Sequence, residues 1–196
     1  MIYKFKKYIP VIHPSSFIHP LASVTGNVTI GKNVFVGSGA ALRGDIGEII
    51  IEDGCNIQEN CIIHMFPGAT VHLKKGSHIG HGAIVHGAQI GENVLIGMSS
   101  VIMDNVEIGD NCIIGALSLI TEGNKIPERK VVVGNPAKII KGVSDEMLKW
   151  KTEGTKIYQQ LTEDCLADMK EVKPLKKGIK KVKQTGSYKT WKNTKK

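Results

Sequence analysis

Aliphatic residues recur at every sixth position over two long stretches of the chain. The first runs through Ile18, Val24, Ile30, Val36 and Leu42; the second runs through Ile90, Ile96, Ile102, Ile108, Ile114 and Ile120, with glycine following at 91, 97, 109 and 115. Four positions after the aliphatic residue stands a small or β-branched one: Val28, Val34 and Ala40, then Val94, Ser100, Val106, Cys112 and Ser118. Six is a multiple of the strand period of two and does not fit the helical 3.6, so each hexapeptide predicts a short strand and a corner. Three such units make a coil of triangular section whose inward aliphatics stack from coil to coil.

The period breaks in three places, and breaks in a strict repeat are where function is grafted. Leu42 to Ile51 spans nine residues, Ile63 to Ile79 sixteen, through a Met65–Thr70 loop with Pro67 and Gly68, and Ile79 to Ile90 eleven. With Leu42, Ile63 and Ile84 taken to open the first side of successive coils, His64 and His86 lie on one side, one coil apart. His81 then lies around the corner. A side of such a prism is roughly 15 Å at about 3.3 Å per residue, so one chain cannot bring all three together. If three chains pack about a parallel axis, His81 of one faces His64 and His86 of the next.

Beyond Ile120 a Gly134-Asn135-Pro136 turn leads away from the prism. Ser144, followed by Asp145 and Glu146, reads as a helix cap and acidic first turn. Met147, Leu148, Trp150, Ile157, Tyr158, Leu161, Cys165, Leu166 and Met169 then recur at helical spacing, with Gly154 separating two segments that pack outside the prism. The organisation expected is a solenoid over 10–140, a helical segment over 141–172 and a basic tail over 173–196. The hexapeptide pattern resembles the left-handed parallel β-helix family. The expected fold class is therefore all-β, a left-handed parallel β-helix with a C-terminal α-helical segment, its handedness implied by the resemblance.

Charge alters this picture little. The formal +8 comes from the tail, which holds ten lysines and no acid; the rest carries 16 basic and 18 acidic residues. A nearly neutral body with a solvated, disordered tail argues against a nucleic-acid partner, and removal of 173–196 is expected to leave assembly, metal and activity intact. Aromatics are only 5% of the chain, so the core must come from many small aliphatic side chains. No CxxC pair and no secretory apolar segment occur, and nowhere do 18 apolar residues run together. A reduced, cytoplasmic setting with no membrane span is the expectation. Cys55, Cys61 and Cys112 fall at the small inward position and read as packing residues.

Leu42–Asp45 (LRGD), Asn56–Asn60 (NIQEN) and residues 80–87 (GHGAIVHG) resemble the motifs of the γ-class carbonic anhydrases. Met98–Asp104, the GNPAK turn and the SDEMLKWKTEGTKIYQQL segment extend the similarity toward hexapeptide proteins of phenylacetate-degradation and carnitine operons. The resemblance implies His64, His81 and His86 as ligands of a zinc ion, or of iron or cobalt, at a site between subunits of a homotrimer. Arg43, Asp45 and Gln58 would line the pocket, and Arg43 could instead pair with Glu59 across the interface. The reaction it implies is hydration of CO2 to bicarbonate by metal-bound hydroxide. The family's shuttle glutamates are missing: Ile46 stands at one position and Met65–Lys75 holds no carboxylate. Alternatives from other classes are a hexapeptide acyltransferase using one interfacial histidine as general base, a thioesterase acting on acyl-CoA, and a metal-binding protein without turnover.

Overall fold

The computed structural model describes residues 1–178, 188, 190 and 191. The chain winds into a left-handed parallel β-helix, and each of its three sides is a stack of short parallel strands. On the first side Val24, Leu42, Ile63, Val85, Ile102 and Ile120 lie in register, one per coil. The second side stacks Ile12, Ile30, Ile51, Leu73, Ile90, Ile108 and Ile126. Side three stacks Ile18, Val36, Ile57, Ile79, Ile96, Ile114 and Val132. Most of these side chains are wholly buried, and together with the small residues at the fourth position they form one continuous core. Cys55, Cys61 and Cys112 belong to it, and burial pushes Cys55 up to about 12 and Cys61 up to about 11, which favours the neutral thiol at these packing positions.

The corners are sharp. Asn33, Asn60, Asn93, Asn105 and Asn111 turn them in the left-handed region, which asparagine enters more easily than most residues. One detail departs from the sequence reading. Val85, not Ile84, faces inward beneath Ile63, because the missing residue falls between Val85 and Ile90 and not before Ile84. The shift of one position puts His86 directly in register with His64.

The last strand of side three, Lys130–Gly134, pairs antiparallel with Ala137–Gly142, and the solenoid ends there. The helix α1, Asp145–Asp168, follows as one uninterrupted element; Gly154 lies inside it and does not divide it. Ser144 caps its start by accepting from the Met147 amide, and Asp145 and Glu146 fill the first turn where the helix dipole favours acid. The helix runs back along side three, touching the strands at Phe17–Ile18, Phe35–Val36 and Asn56–Ile57. None of the described helices is long and apolar enough to cross a membrane. The expectation of an undocked tail falls largely outside the described residues, but Tyr188 and Trp191 are described, and both pack against Trp150 of α1.

Candidate functional site

The residues singled out from the sequence separate into two clusters on adjoining sides of the prism. The first is built on side one by two neighbouring strands, Ile62–His64 and Ile84–His86. Their shared register sets the two imidazoles one above the other, His64 Nδ1 standing 3.3 Å from His86 Nε2. Each ring is backed by a carboxylate. Asp45 Oδ1 lies 3.0 Å from His64 Nε2, and Asp104 Oδ1 lies 2.7 Å from His86 Nδ1. Arg43 reaches the same His64 nitrogen at 3.0 Å and Asp45 at 3.7 Å. A carboxylate can only accept, so Asp104 fixes an N–H on His86 Nδ1 and leaves the Nε2 lone pair toward His64, whereas His64 Nε2 faces both an acceptor, Asp45, and an obligate donor, Arg43, and serves one of them at a time. With Arg43 donating to Nε2, His64 Nδ1–H donates to His86 Nε2; with Nε2–H on Asp45, the two lone pairs face one another and leave a place for a cation between the rings.

Asp104 was not identified as a site residue from the sequence, although it stands one 18-residue coil beyond His86, a spacing that could have found it. Its approach depends on Gly87. That residue has φ +61°, and a Cβ there would lie 2.4 Å from Asp104 Oδ1. On the solvent side Phe66, from the loop that breaks the repeat, meets His86 edge to face at 5.1 Å.

The second cluster lies around the corner under α1. His81 is half exposed, and its Nδ1 is 2.6 Å from Glu59 Oε2. Gln58 is buried and fully engaged: its Nε2 donates to Asn56 Oδ1 at 3.0 Å and to His78 Nε2 at 2.6 Å, while its Oε1 accepts from the His81 amide. Within the chain Gln58 therefore holds His78 and the His81 backbone, at the end of the cluster away from Arg43 of the same chain. In this chain Arg43 and Glu59 have different partners, Asp45 with His64 and His81 respectively. Among the described residues no group of three or more His, Cys, Asp or Glu converges on a metal position within one chain, in line with His81 lying apart from His64 and His86.

Two further groups here carried no signal in the sequence. Burial pushes His78 down to about 3, helped by the charges of Lys151 and His81, and its Nδ1 has no hydrogen-bond partner among the described residues. Lys151 of α1 is 2% exposed; burial pushes it down to about 7, and its ammonium donates to the Gly76 carbonyl at 2.8 Å and to Asn93 Oδ1 at 2.6 Å. Both depend on a helix arriving from far along the chain, which strand spacing cannot report. Between α1 and side three runs an apolar groove of about 430 Å³, with Gln58 and His81 at one end and Leu95, Met98, Met147 and Trp150 along it. The remaining histidines play local parts: His72 pairs with Glu52 at 2.8 Å, His13 with Ser15 at 2.8 Å, and His19 accepts from the Leu21 amide.

Comparison with known proteins bears on the chemistry. The family model "Bacterial transferase hexapeptide (six repeats)" matches residues 9–44 and 87–122, and "Hexapeptide repeat of succinyl-transferase" matches 27–65. The carnitine operon protein CaiE of Escherichia coli O7:K1 is 43% identical over 174 residues, 89% of each chain. Among solved structures, a Bacillus cereus protein assigned as an acetyltransferase superposes with a TM-score of 0.84 at 34% identity, covering 85% of this chain and 97% of its own. A hexapeptide transferase family protein from Anaplasma phagocytophilum gives 0.81 at 29% identity, covering 84% and 97%. These findings overturn the carbonic anhydrase reading. The relatives matched over most of the chain are a carnitine operon protein and proteins assigned to acetyl or hexapeptide transfer, and none of those named is a carbonic anhydrase.

Proposed function

The chain belongs to the hexapeptide-repeat family that includes the carnitine operon protein CaiE, and from that premise we propose that it is an acyltransferase working on acyl thioesters of the coenzyme A class. The observation that carries the reading is His81 at the mouth of the apolar groove, with Glu59 2.6 Å from its Nδ1. The carboxylate holds the N–H on Nδ1, so Nε2 carries the lone pair and is open to a substrate. The acyl arm lies in the groove along Met98, Met147 and Trp150. The acceptor, an amine or hydroxyl, attacks the thioester carbonyl while His81 Nε2 takes its proton. The new carbon–nitrogen or carbon–oxygen bond forms, the carbon–sulfur bond breaks, and the imidazolium returns the proton to the departing thiolate. In a homotrimer, Arg43 of a neighbouring copy would meet this cluster and hold an anionic part of the substrate.

A second reading rests on the 3.3 Å between His64 Nδ1 and His86 Nε2. Two nitrogens bound to one tetrahedral zinc at about 2.0–2.1 Å stand about 3.4 Å apart, and carboxylates behind both rings are the usual support for metal-bound imidazole. His64 and His86 therefore fit a zinc, iron or cobalt ion, with His81 of another copy as the third ligand. Such an ion would supply Lewis-acid polarisation of the acyl carbonyl.

The two readings part on one set of measurements. Elemental analysis of the purified protein is paired with acetyl-CoA and longer acyl-CoA turnover for wild type, His81→Ala and His86→Ala. General-base catalysis predicts a loss of about 10²- to 10⁴-fold in kcat for His81→Ala with metal content unchanged. A metal site predicts that both variants lose metal and activity together. Full activity in His81→Ala ends both readings of that residue.

A further inference from the structure

Trp150 of α1 lies along the groove between the helix and side three, and two residues of the C-terminal tail are seated on it. The Tyr188 ring stacks on Trp150 with centroids 5.8 Å apart and planes 28° apart, and its hydroxyl donates to the Trp150 carbonyl at 3.2 Å. Trp191 meets the same indole at 6.1 Å and packs on a small apolar cluster of Ile113, Val131, Val143 and Met147 that is separate from the main core. Gly154 supplies an independent sign. It sits in the middle of a 24-residue helix, where glycine is costly, and a Cβ built on it would fall 2.9 Å from the Tyr188 hydroxyl. The helix thus lacks a side chain at the position where the tyrosine lies.

We propose that Tyr188 and Trp191 act as a strap, docking on α1 through Trp150 and Gly154 and forming the outer wall of the apolar groove that leads to Gln58 and His81. Trp191 lines that groove, and Tyr188 lines the adjoining cavity of about 450 Å³ whose other walls include His78, Lys151 and Tyr158. The docking contacts are aromatic and apolar, so the lysine-rich composition of the tail does not drive them. With the wall in place the groove suits a ligand with an extended apolar arm; without it the outer side of the arm stays in water. This last step rests on the acyl-transfer reading, whereas the docking does not.

The chain has two tryptophans, Trp150 and Trp191, so Trp191→Phe leaves Trp150 as the single reporter. In the otherwise full chain carrying Trp191→Phe, Trp150 emission is expected to be blue-shifted and weakly quenched by acrylamide, in low salt and in high salt alike. A chain ending at Ser187 is expected to show a red shift and a quenching constant raised about twofold, as local protection is lost. A cycle with Gly154→Ala adds a test that a folding defect cannot mimic. In the chain ending at Ser187 the substitution raises Tm, because an interior helix glycine is replaced. In the full chain the gain disappears, since the new methyl meets the Tyr188 hydroxyl, and Tyr188→Phe restores it. Equal quenching of Trp150 with and without the segment, or the same Tm gain in both chains, would overturn the docking, including the case in which a second copy covers Trp150. If docking holds, a chain ending at Ser187 should raise KM for a long-chain acyl-CoA more than for acetyl-CoA; an equal change would remove the wall from the groove while leaving the strap in place.

Discussion

The two clusters sit on adjoining sides of the same coils and are made by opposite means. The pair of His64 and His86, with Asp45 and Asp104 behind them, is built wholly from the repeat, each residue one coil from its partner. The cluster of Gln58, His78 and His81 becomes a site only because α1 lies across it, bringing Lys151 and Tyr158 to a face that would otherwise be solvated. The first uses carboxylates to hold imidazoles at the surface. The second uses burial, which drives His78 and Lys151 toward their neutral forms. A solenoid thus places polar groups accurately by repetition, but it needs a non-repeating element to change their chemistry.

The widest separation of the two comes from the core beneath the first cluster. Ile102 lies in register with Val85, the inward neighbour of His86, and is wholly buried. Ile102→Ala should cost about 2–5 kcal/mol, since the stacked column cannot collapse around the gap. Chemical denaturation measures it, and a loss below about 0.5 kcal/mol would show that the column does not support the strands.

Lys151 tests the second cluster through pH. Its folded value, about 7, lies below the ordinary lysine value of 10.5, so the unfolded chain binds more protons above pH 7 and stability must rise with pH. Between pH 7 and pH 9 the rise should be on the order of 2–3 kcal/mol. Above that window Cys55, raised to about 12, works in the opposite sense. Lys151→Met should flatten the slope, and an unchanged slope in that variant would assign it to other groups.

The side-one column and the histidine positions could be read because strand spacing fixes them: the six-residue period gave the inward residues, and the coil spacing put His64 and His86 on one side with His81 around the corner. The inward phase slipped by one at Ile84, since three aliphatic or β-branched residues in succession, Ala83, Ile84 and Val85, leave the phase ambiguous where the count falls one short. Gln58 was legible as a site candidate, but its bond to His78 and the helix that covers both were not, because they are set by tertiary contact. The chemistry was misread for a related reason. The motifs at Leu42–Asp45 and 80–87 describe how histidines sit on such a coil, a geometry that several reactions share.

Gly87→Ala probes the first cluster alone. The added methyl would meet Asp104 Oδ1 on a backbone with φ +61°, so the carboxylate must leave His86. The expected cost is about 1–3 kcal/mol. Nitrogen-15 spectra should also show His86 losing its fixed Nδ1–H tautomer while His78 is unchanged. Retention of that tautomer would mean that Asp104 does not set it.

The smallest expected effect bears most directly on whether the two clusters are independent. Ser144 accepts from the Met147 amide at 3.3 Å and is the only described side chain to cap the start of α1, so Ser144→Ala should destabilise the chain by about 1 kcal/mol. That loss is local to the helix, and its first consequence is more frequent lifting of α1 from side three. Lifting exposes His78 to water, so its imidazole, held down to about 3 by burial, should titrate closer to the ordinary histidine range. His64 and His86 make no contact through α1; their strands pair with one another and with side-one neighbours. Their ring signals should therefore be unmoved by Ser144→Ala at every pH at which the chain stays folded. A shift of His86 equal to that of His78 would show that the helix governs both clusters, and the division between a repeat-built and a helix-built site would fail.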